Sequence, residues 1–185
     1  MKLKEIIYNR TSVRIYKDKE VPQSLISEIL ENGNLAPTAG NIQPWEFIII
    51  KEDNKKKEIV NTTFVGANMN SPKTQKWMLS APVFIAICGD KEKMYNRYGK
   101  NGVDTLLYLD CSACIENMLL TAVDLGLASC YVSGFRIDEL SNVLELPPHI
   151  IPIAILPIGY SGIDEIKRRK KEDVESKIHY ETYKI

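Results

Sequence analysis

Apolar positions along this chain alternate between a helical and a strand period, and they outline most of its elements. Leu3, Ile6 and Ile7 predict a short first helix ending near Tyr8. Over residues 21–35, Leu25, Ile26, Ile29 and Leu30 form one stripe behind Pro22, a residue suited to a first helical turn. Residues 46–51 are a β-rich run and read as a core strand, after which Asp53 is placed to cap a polar helix through Val60. Residues 82–88 predict a second strand, closed by Gly89 and Asp90. From about residue 102 to 127 apolar side chains fall on nearly every face, including Leu106, Leu107, Cys111, Cys114, Ile115, Met118, Leu119, Ala122 and Leu125. A helix apolar all round is a buried one, so this segment predicts a central core helix. A third strand follows at 129–132, then a short helix at 138–144 stopped by Pro147 and Pro148. Residues 150–160 predict a fourth strand, whose Pro152 and Pro157 argue against full hydrogen bonding in a central position.

That order is α+β: a small mixed or antiparallel sheet surrounded by helices, with a long buried central helix. Neither a G-x-G-x-x-G nor a Walker motif points to a nucleotide-binding doubly wound sheet. The 185 residues read as one domain, 1–185, in which 164–185 form a charged tail. Val174, Ile178, Tyr180 and Tyr183 are unusual for a disordered end, so the tail is expected to dock on its own or a partner subunit.

Charge removes several function classes. With 24 basic and 24 acidic side chains the formal net charge is zero, so no global field favours nucleic acid or an anionic membrane. Any anion must be bound locally. The apolar runs 83–88 and 150–158 are too short to span a bilayer, and residues 1–4 carry no signal segment, which predicts a cytoplasmic protein. Cys88, Cys111, Cys114 and Cys130 lie in apolar stretches, as small buried thiols of a reducing compartment do. The Cys111-Ser-Ala-Cys114 spacing also invites a redox reading, but it falls inside the core helix, which favours packing. His149 and His179 show no metal-ligand spacing, and no metal is expected.

Local chemistry concentrates in a few places. Residues 10–14 read Arg-Thr-Ser-Val-Arg, two guanidiniums and two hydroxyls in five residues, the groups that hold a phosphate monoester. Taken alone, such a string is more often a solvated surface turn. The basic run 167–171, with Lys167 and Arg169, is either a solubilising run or the completion of that clamp. Residues 36–45, Ala-Pro-Thr-Ala-Gly-Asn-Ile-Gln-Pro-Trp, place Pro37 and Gly40 around the polar groups of Thr38, Asn41 and Gln43. This can be a plain turn packed through Trp45, or the rim of a planar heterocycle with Asn41 facing the ligand. Gly134, in Val132-Ser133-Gly134-Phe135 at the end of the third strand, lets a backbone N–H approach a ligand closely. Together these segments read as an FMN site.

These motifs, in their order and spacing, resemble the nitroreductase family nearly end to end. The match lies at Arg10, Ser12 and Arg14, at residues 36–45, at Leu125-Gly-Leu and Cys130, at Gly134-Phe135, at Gly159-Tyr160, and at Lys167 with Arg169. The resemblance implies a homodimer with two FMN sites at its interface. It implies that Arg10, Ser12, Lys167 and Arg169 hold the phosphate, with Arg14 near flavin N1 and O2. Pro37, Thr38 and Asn41 would reach the flavin from the other subunit, and Ser133 and Gly134 would address N5 and O4. Thr11 and Val132 belong to the same two segments and are counted with the site. Thr38 stands where Ser is commoner, Ser133 where some relatives carry Glu, and residues 61–77 match no flavin-contacting segment. Residues 91–103 are short where larger relatives cover the substrate.

The activity implied is FMN-dependent oxidation of NAD(P)H in a ping-pong cycle, with hydride passing through flavin N5 to a nitroaromatic, quinone or other electron-poor small molecule. No side chain is required as a nucleophile. Tyr95, Tyr98, Phe64 and Trp77 are candidates for the face opposite the flavin. Dehalogenation or azoline oxidation on the same scaffold, or a flavin-binding sensor without turnover, are the alternatives.

Overall fold

Two adjacent strands, apolar at almost every position, set the architecture. In a computed structural model that describes residues 1–164 and 170–183, the chain runs α1 (Leu3–Asn9), α2 (Gln23–Asn34), β1 (Trp45–Ile50), α3 (Asp53–Thr62) and β2 (Val83–Asp90). It continues through α4 (Lys91–Asn101), α5 (Leu107–Asp124), β3 (Ala128–Ser129), α6 (Ile137–Val143) and β4 (Ile150–Gly159). The sheet order is β1-β2-β4-β3 and every neighbouring pair is antiparallel. One parallel bridge, Ser12 with Ser129, extends it at the β3 edge.

β2 is buried along its whole length, as a continuous apolar run requires of a strand covered on both faces. Its alternation splits the core. Val83, Ile85 and Ile87 face one cluster with Ile26, Ile29, Cys111, Ile115 and Met118, from α2 and α5. Phe84 and Ala86 face a second cluster, with Ile59 and Val60 of α3 and Leu140 of α6. β4 takes its prolines at tolerant places. Pro152 follows a bulge, where β2 steps from Ile87 to Cys88 while β4 steps from Ala154 to Pro152. The Pro157 carbonyl accepts from the Tyr16 hydroxyl (3.1 Å).

Several expectations are corrected. The long helix does not start at Gly102: a π-turn, Gly102–Leu106, precedes α5, and a separate helix, α4, fills residues read as a gap. The Asp90 carboxylate caps α4, accepting from the Glu92 and Lys93 N–H groups (2.9 and 3.0 Å). Only Met94 of α4 is buried, so α4 has no apolar period to betray it. Nor is α5 buried all round: Tyr108, Ser112 and Glu116 are exposed, and Leu109 is 61% exposed. The stretch Lys91–Asp124 is long and apolar enough to cross a membrane, but half of its most apolar window is buried inside the molecule. Asp53 is the first residue of α3, not its cap, and pairs with Lys56 (2.9 Å). The third strand stops at Ser129, with Val132 returning as an isolated bridge to Ile155. In the tail, Val174, Ile178, Tyr180 and Tyr183 are exposed on the single chain.

Candidate functional site

The Arg10–Arg14 segment is extended, and an extended chain points alternate side chains to opposite faces. Val13 is 2% exposed and Tyr16 is buried with it in the second core cluster, while Ser12 and Arg14 are exposed and Arg10 is half-buried. Burial alternates only around Val13, with Ser12 and Arg14 on the open side; it breaks after Arg14, where Ile15 is exposed and Tyr16 turns into the core. The segment is pinned along β3: Ser12 bridges Ser129, and the Val13 N–H donates to the Ser129 carbonyl (3.0 Å). Its far end is held by the Tyr16 hydroxyl, which donates to the Val13 and Pro157 carbonyls (2.8 and 3.1 Å). Burial keeps that phenol neutral by raising its pKa. Tyr16→Phe would leave both buried carbonyls without this donor. It is expected to cost about 1–2 kcal/mol of stability, read from the urea midpoint at unchanged m value.

The two arginines and the serine converge on one place. Burial pushes the Cys130 thiol up, and Arg14, the Ser12 hydroxyl and Arg10 all act in the opposite sense on it. Arg10 Nε also lies 3.5 Å from Glu116 on α5, an exposed pair worth little in water. Arg14 sits over the Trp77 ring, 5.7 Å from its centroid. Thr11 is half-buried beside them. Lys167 and Arg169 lie outside the described residues.

The second element is the turn after β3. Val132 contributes structure only: its N–H and C=O both pair with Ile155 (3.0 and 2.9 Å) and its side chain is buried. Ser133 and Gly134 then leave the sheet. The Gly134 carbonyl accepts from the Phe64 N–H (2.9 Å) and from Gln75 Nε2 (3.2 Å). The N–H groups of Ser133 and Gly134 donate to no acceptor among the described residues. Two adjacent backbone donors held in place are suited to an acceptor edge such as that of a flavin ring. An added Cβ at Gly134 would lie 3.0 Å from Gln75 Nε2 and 3.3 Å from the Phe64 carbonyl, so glycine is needed by the loop behind it as well.

The turn at 37–43 is the third element, and it is conformationally costly. Gly40, Asn41 and Gln43 all have positive φ (56°, 57° and 51°), which a non-glycine residue holds only where its surroundings impose it. Those surroundings are visible. The Gln43 N–H donates to Thr38 Oγ1 (3.2 Å), and Gln43 Nε2 donates to the Asn41 carbonyl and Oδ1 (3.1 and 2.9 Å). Asp110 of α5, 7% exposed, accepts from the Ala39 N–H (3.1–3.2 Å). Arg97 of α4 donates to the Gly40 carbonyl (3.3 Å). Gln43 thus orients the Asn41 amide, and Pro37 and Asn41 stay exposed with Thr38 half-buried. No hydrogen bond or ion pair among the described residues joins this turn to the Arg10–Arg14 segment of the same chain.

Sequence reading missed Gln75, Asp110, Arg97 and Tyr16 as parts of the site's framework. The aromatics fall near it in different ways: Trp77 under Arg14, Phe64 behind Gly134, the Tyr98 hydroxyl against Gly40, and Tyr95 exposed on α4. All four cysteines are free and buried. Burial pushes the Cys111 and Cys114 thiols up to about 12, which suits packing and not a reactive pair.

With this geometry in hand, the comparisons are specific. A relative from Methanothermobacter thermautotrophicus is 29% identical over 164 residues, covering 86% of this chain and 78% of its own. An enzyme of Bacillus subtilis named FMN reductase [NAD(P)H] is 27% identical, covering 98% of this chain and 75% of its own. The crystal structure of a nitroreductase family protein from Clostridium difficile 630 superposes with a TM-score of 0.81 at 28% identity, covering 99% of this chain and 100% of that one. The profile of the nitroreductase family itself matches residues 7–160, from within α1 to just past β4. The chain belongs to the nitroreductase family.

Proposed function

We propose that this protein is an FMN-dependent NAD(P)H oxidoreductase that reduces small electron-poor acceptors, nitroaromatics and quinones among them, and that it works as a homodimer. The observation that carries the reading is the Arg10, Ser12 and Arg14 string held along β3, together with Ser133 and Gly134 N–H groups that donate to no acceptor among the described residues. That donor set fits FMN: charged forks and a hydroxyl for its phosphate, rigid backbone donors for its ring edge. When bound, FMN supplies the chemistry that moves a hydride from NAD(P)H to the acceptor.

The protein's part is binding, orientation and electrostatics. Arg10 and Ser12 hold the phosphate, with Thr11 beside them and Lys167 and Arg169 contributing from the tail. Arg14 supplies positive charge at the pyrimidine end of the ring. Gly134 and Ser133 present N–H donors to its central edge. Pro37, Thr38 and Asn41 complete the site from the partner subunit. Support for that arrangement is twofold: the 37–43 turn is bonded separately from the arginine segment, and Leu3, Ile7, Tyr8, Tyr108 and Leu109 leave apolar area exposed on α1 and α5. Apolar patches rimmed by polar residues mark protein contacts.

The deciding experiment is an absorbance spectrum of purified protein after FMN is added and the excess removed, followed by NADH and NADPH oxidation with 4-nitrobenzoate or menadione. Retained flavin absorbance and acceptor-dependent turnover are expected, at a dimeric mass in sedimentation. A folded protein that neither retains FMN nor binds it on titration refutes the reading. Retained flavin without turnover on any acceptor would favour the sensor alternative.

A further inference from the structure

Residues 61–77 have no evident role in sequence, yet they form the wall behind the Ser133–Gly134 turn. Thr63, fully buried, pairs with Phe135 as an antiparallel bridge, and its hydroxyl donates to the Val60 carbonyl (2.6 Å). That same hydroxyl oxygen accepts from the Gln75 N–H (2.8 Å). The Gln75 carboxamide then donates from Nε2 to two carbonyls at once, Phe64 and Gly134, each at 3.2 Å. The Phe135 N–H donates to the Ser133 carbonyl (3.1 Å), and the Phe64 N–H to the Gly134 carbonyl (2.9 Å).

The Ser133 carbonyl, in the same peptide as the Gly134 N–H, and the Gly134 carbonyl, in the next, are therefore both tied down, while that N–H donates to no acceptor among the described residues. A primary amide suits this task because its NH2 offers two donors in one plane. An ionised carboxylate of the same shape has none, and a hydrocarbon leaves the Phe64 carbonyl without this donor and the Gly134 carbonyl with the Phe64 N–H alone. The Gly134 N–H can serve a ring acceptor only if its peptide keeps one orientation, since hydrogen bonds weaken steeply with misalignment.

We propose that Gln75 is a positioning residue: by holding the Gly134 carbonyl, in the peptide that follows, it restrains rotation about Gly134 so that the Gly134 N–H meets the bound flavin edge, and thereby sets the flavin's reduction potential. This rests on the FMN reading of the same site. A donor aimed at a ring nitrogen that accepts only in the oxidised state favours that state. Loosening the donor therefore raises the midpoint potential.

The test compares Gln75→Leu and Gln75→Glu with the parent in three measurements. These are the midpoint potential of the FMN-loaded protein by dye equilibration, the FMN dissociation constant by fluorescence, and amide hydrogen exchange of the flavin-free protein. Gln75→Leu is expected to raise the potential by about 15–30 mV, a three- to tenfold shift in the two-electron equilibrium, while the added negative charge of Gln75→Glu opposes that rise. FMN affinity should stay within about threefold, because the phosphate anchors are untouched. Exchange of the Phe64 and Phe135 amides should speed up in both. An unchanged potential in Gln75→Leu alongside faster exchange would overturn the proposal and make Gln75 a tie for the loop alone. So would an FMN affinity that falls in step with melting temperature. A parent protein that takes up no FMN would refute the functional reading itself, and this role with it.

Discussion

Replacing Arg10 with alanine is expected to weaken FMN binding by roughly 10- to 100-fold, the largest single effect at the site. A charge-assisted hydrogen bond to phosphate contributes on the order of 1.5–3 kcal/mol, and Arg adds a planar fork that lysine lacks. The fold should hardly notice. Arg10 is half-buried, and its Glu116 contact at 3.5 Å is an exposed pair, so the urea midpoint should barely move. Arg10→Lys keeps the charge but loses the fork, and should fall between the two. Fluorescence titration with FMN against urea unfolding separates these outcomes. An Arg10→Ala protein with parental FMN affinity would remove the phosphate assignment. Loss of affinity matched by loss of stability would make Arg10 a structural residue.

That residue could be found in the sequence because two guanidiniums and two hydroxyls fall within five residues, an anion-binding composition visible without a structure. Pattern likewise exposed α2 through its stripe, and β2 and β4 through their unbroken apolar runs. It failed where periodicity carries no information. α4 buries Met94 and little else, so its only sequence signal was the cap at Asp90, which was read as a strand end. The apolar count across α5 was real, but Tyr108 and Leu109 are exposed on the single chain, and composition does not say which face of a helix is covered. The supports of the site were hidden for another reason. Gln75 and Arg97 act on backbone carbonyls far along the chain, and Asp110 on a backbone N–H. Such bonds depend on where the backbone passes, which no residue type announces. Motifs therefore pointed to candidate ligand groups, while the bonds that hold those groups in place became visible only in three dimensions.

Asp110 gives the second large effect, and its pH dependence makes it diagnostic. Its carboxylate is the acceptor for the Ala39 N–H at the head of a turn with three left-handed residues. Asp110→Ala leaves that N–H without its partner and releases the strained turn, at an expected cost of about 1–3 kcal/mol. FMN affinity should fall with it by roughly tenfold if this turn completes the site of the partner subunit. Asp110→Asn keeps a side-chain carbonyl for the same N–H and buries no charge, so at neutral pH it should match the parent within about 1 kcal/mol. Acid then distinguishes the two. Burial raises the Asp110 pKa above its ordinary 3.8, with the Ala39 hydrogen bond opposing. The folded protein thus holds this proton more tightly than the unfolded chain does. As pH falls through the folded pKa towards 3.8 the parent gains stability relative to Asp110→Asn, and below 3.8 the gain is complete. Urea midpoints of parent and Asn variant, measured from neutral pH into that range, should diverge in the parent's favour. Parallel curves would mean that Asp110 is not the buried, ionised anchor of the turn. An Ala variant with parental stability and FMN affinity would mean that the turn holds itself.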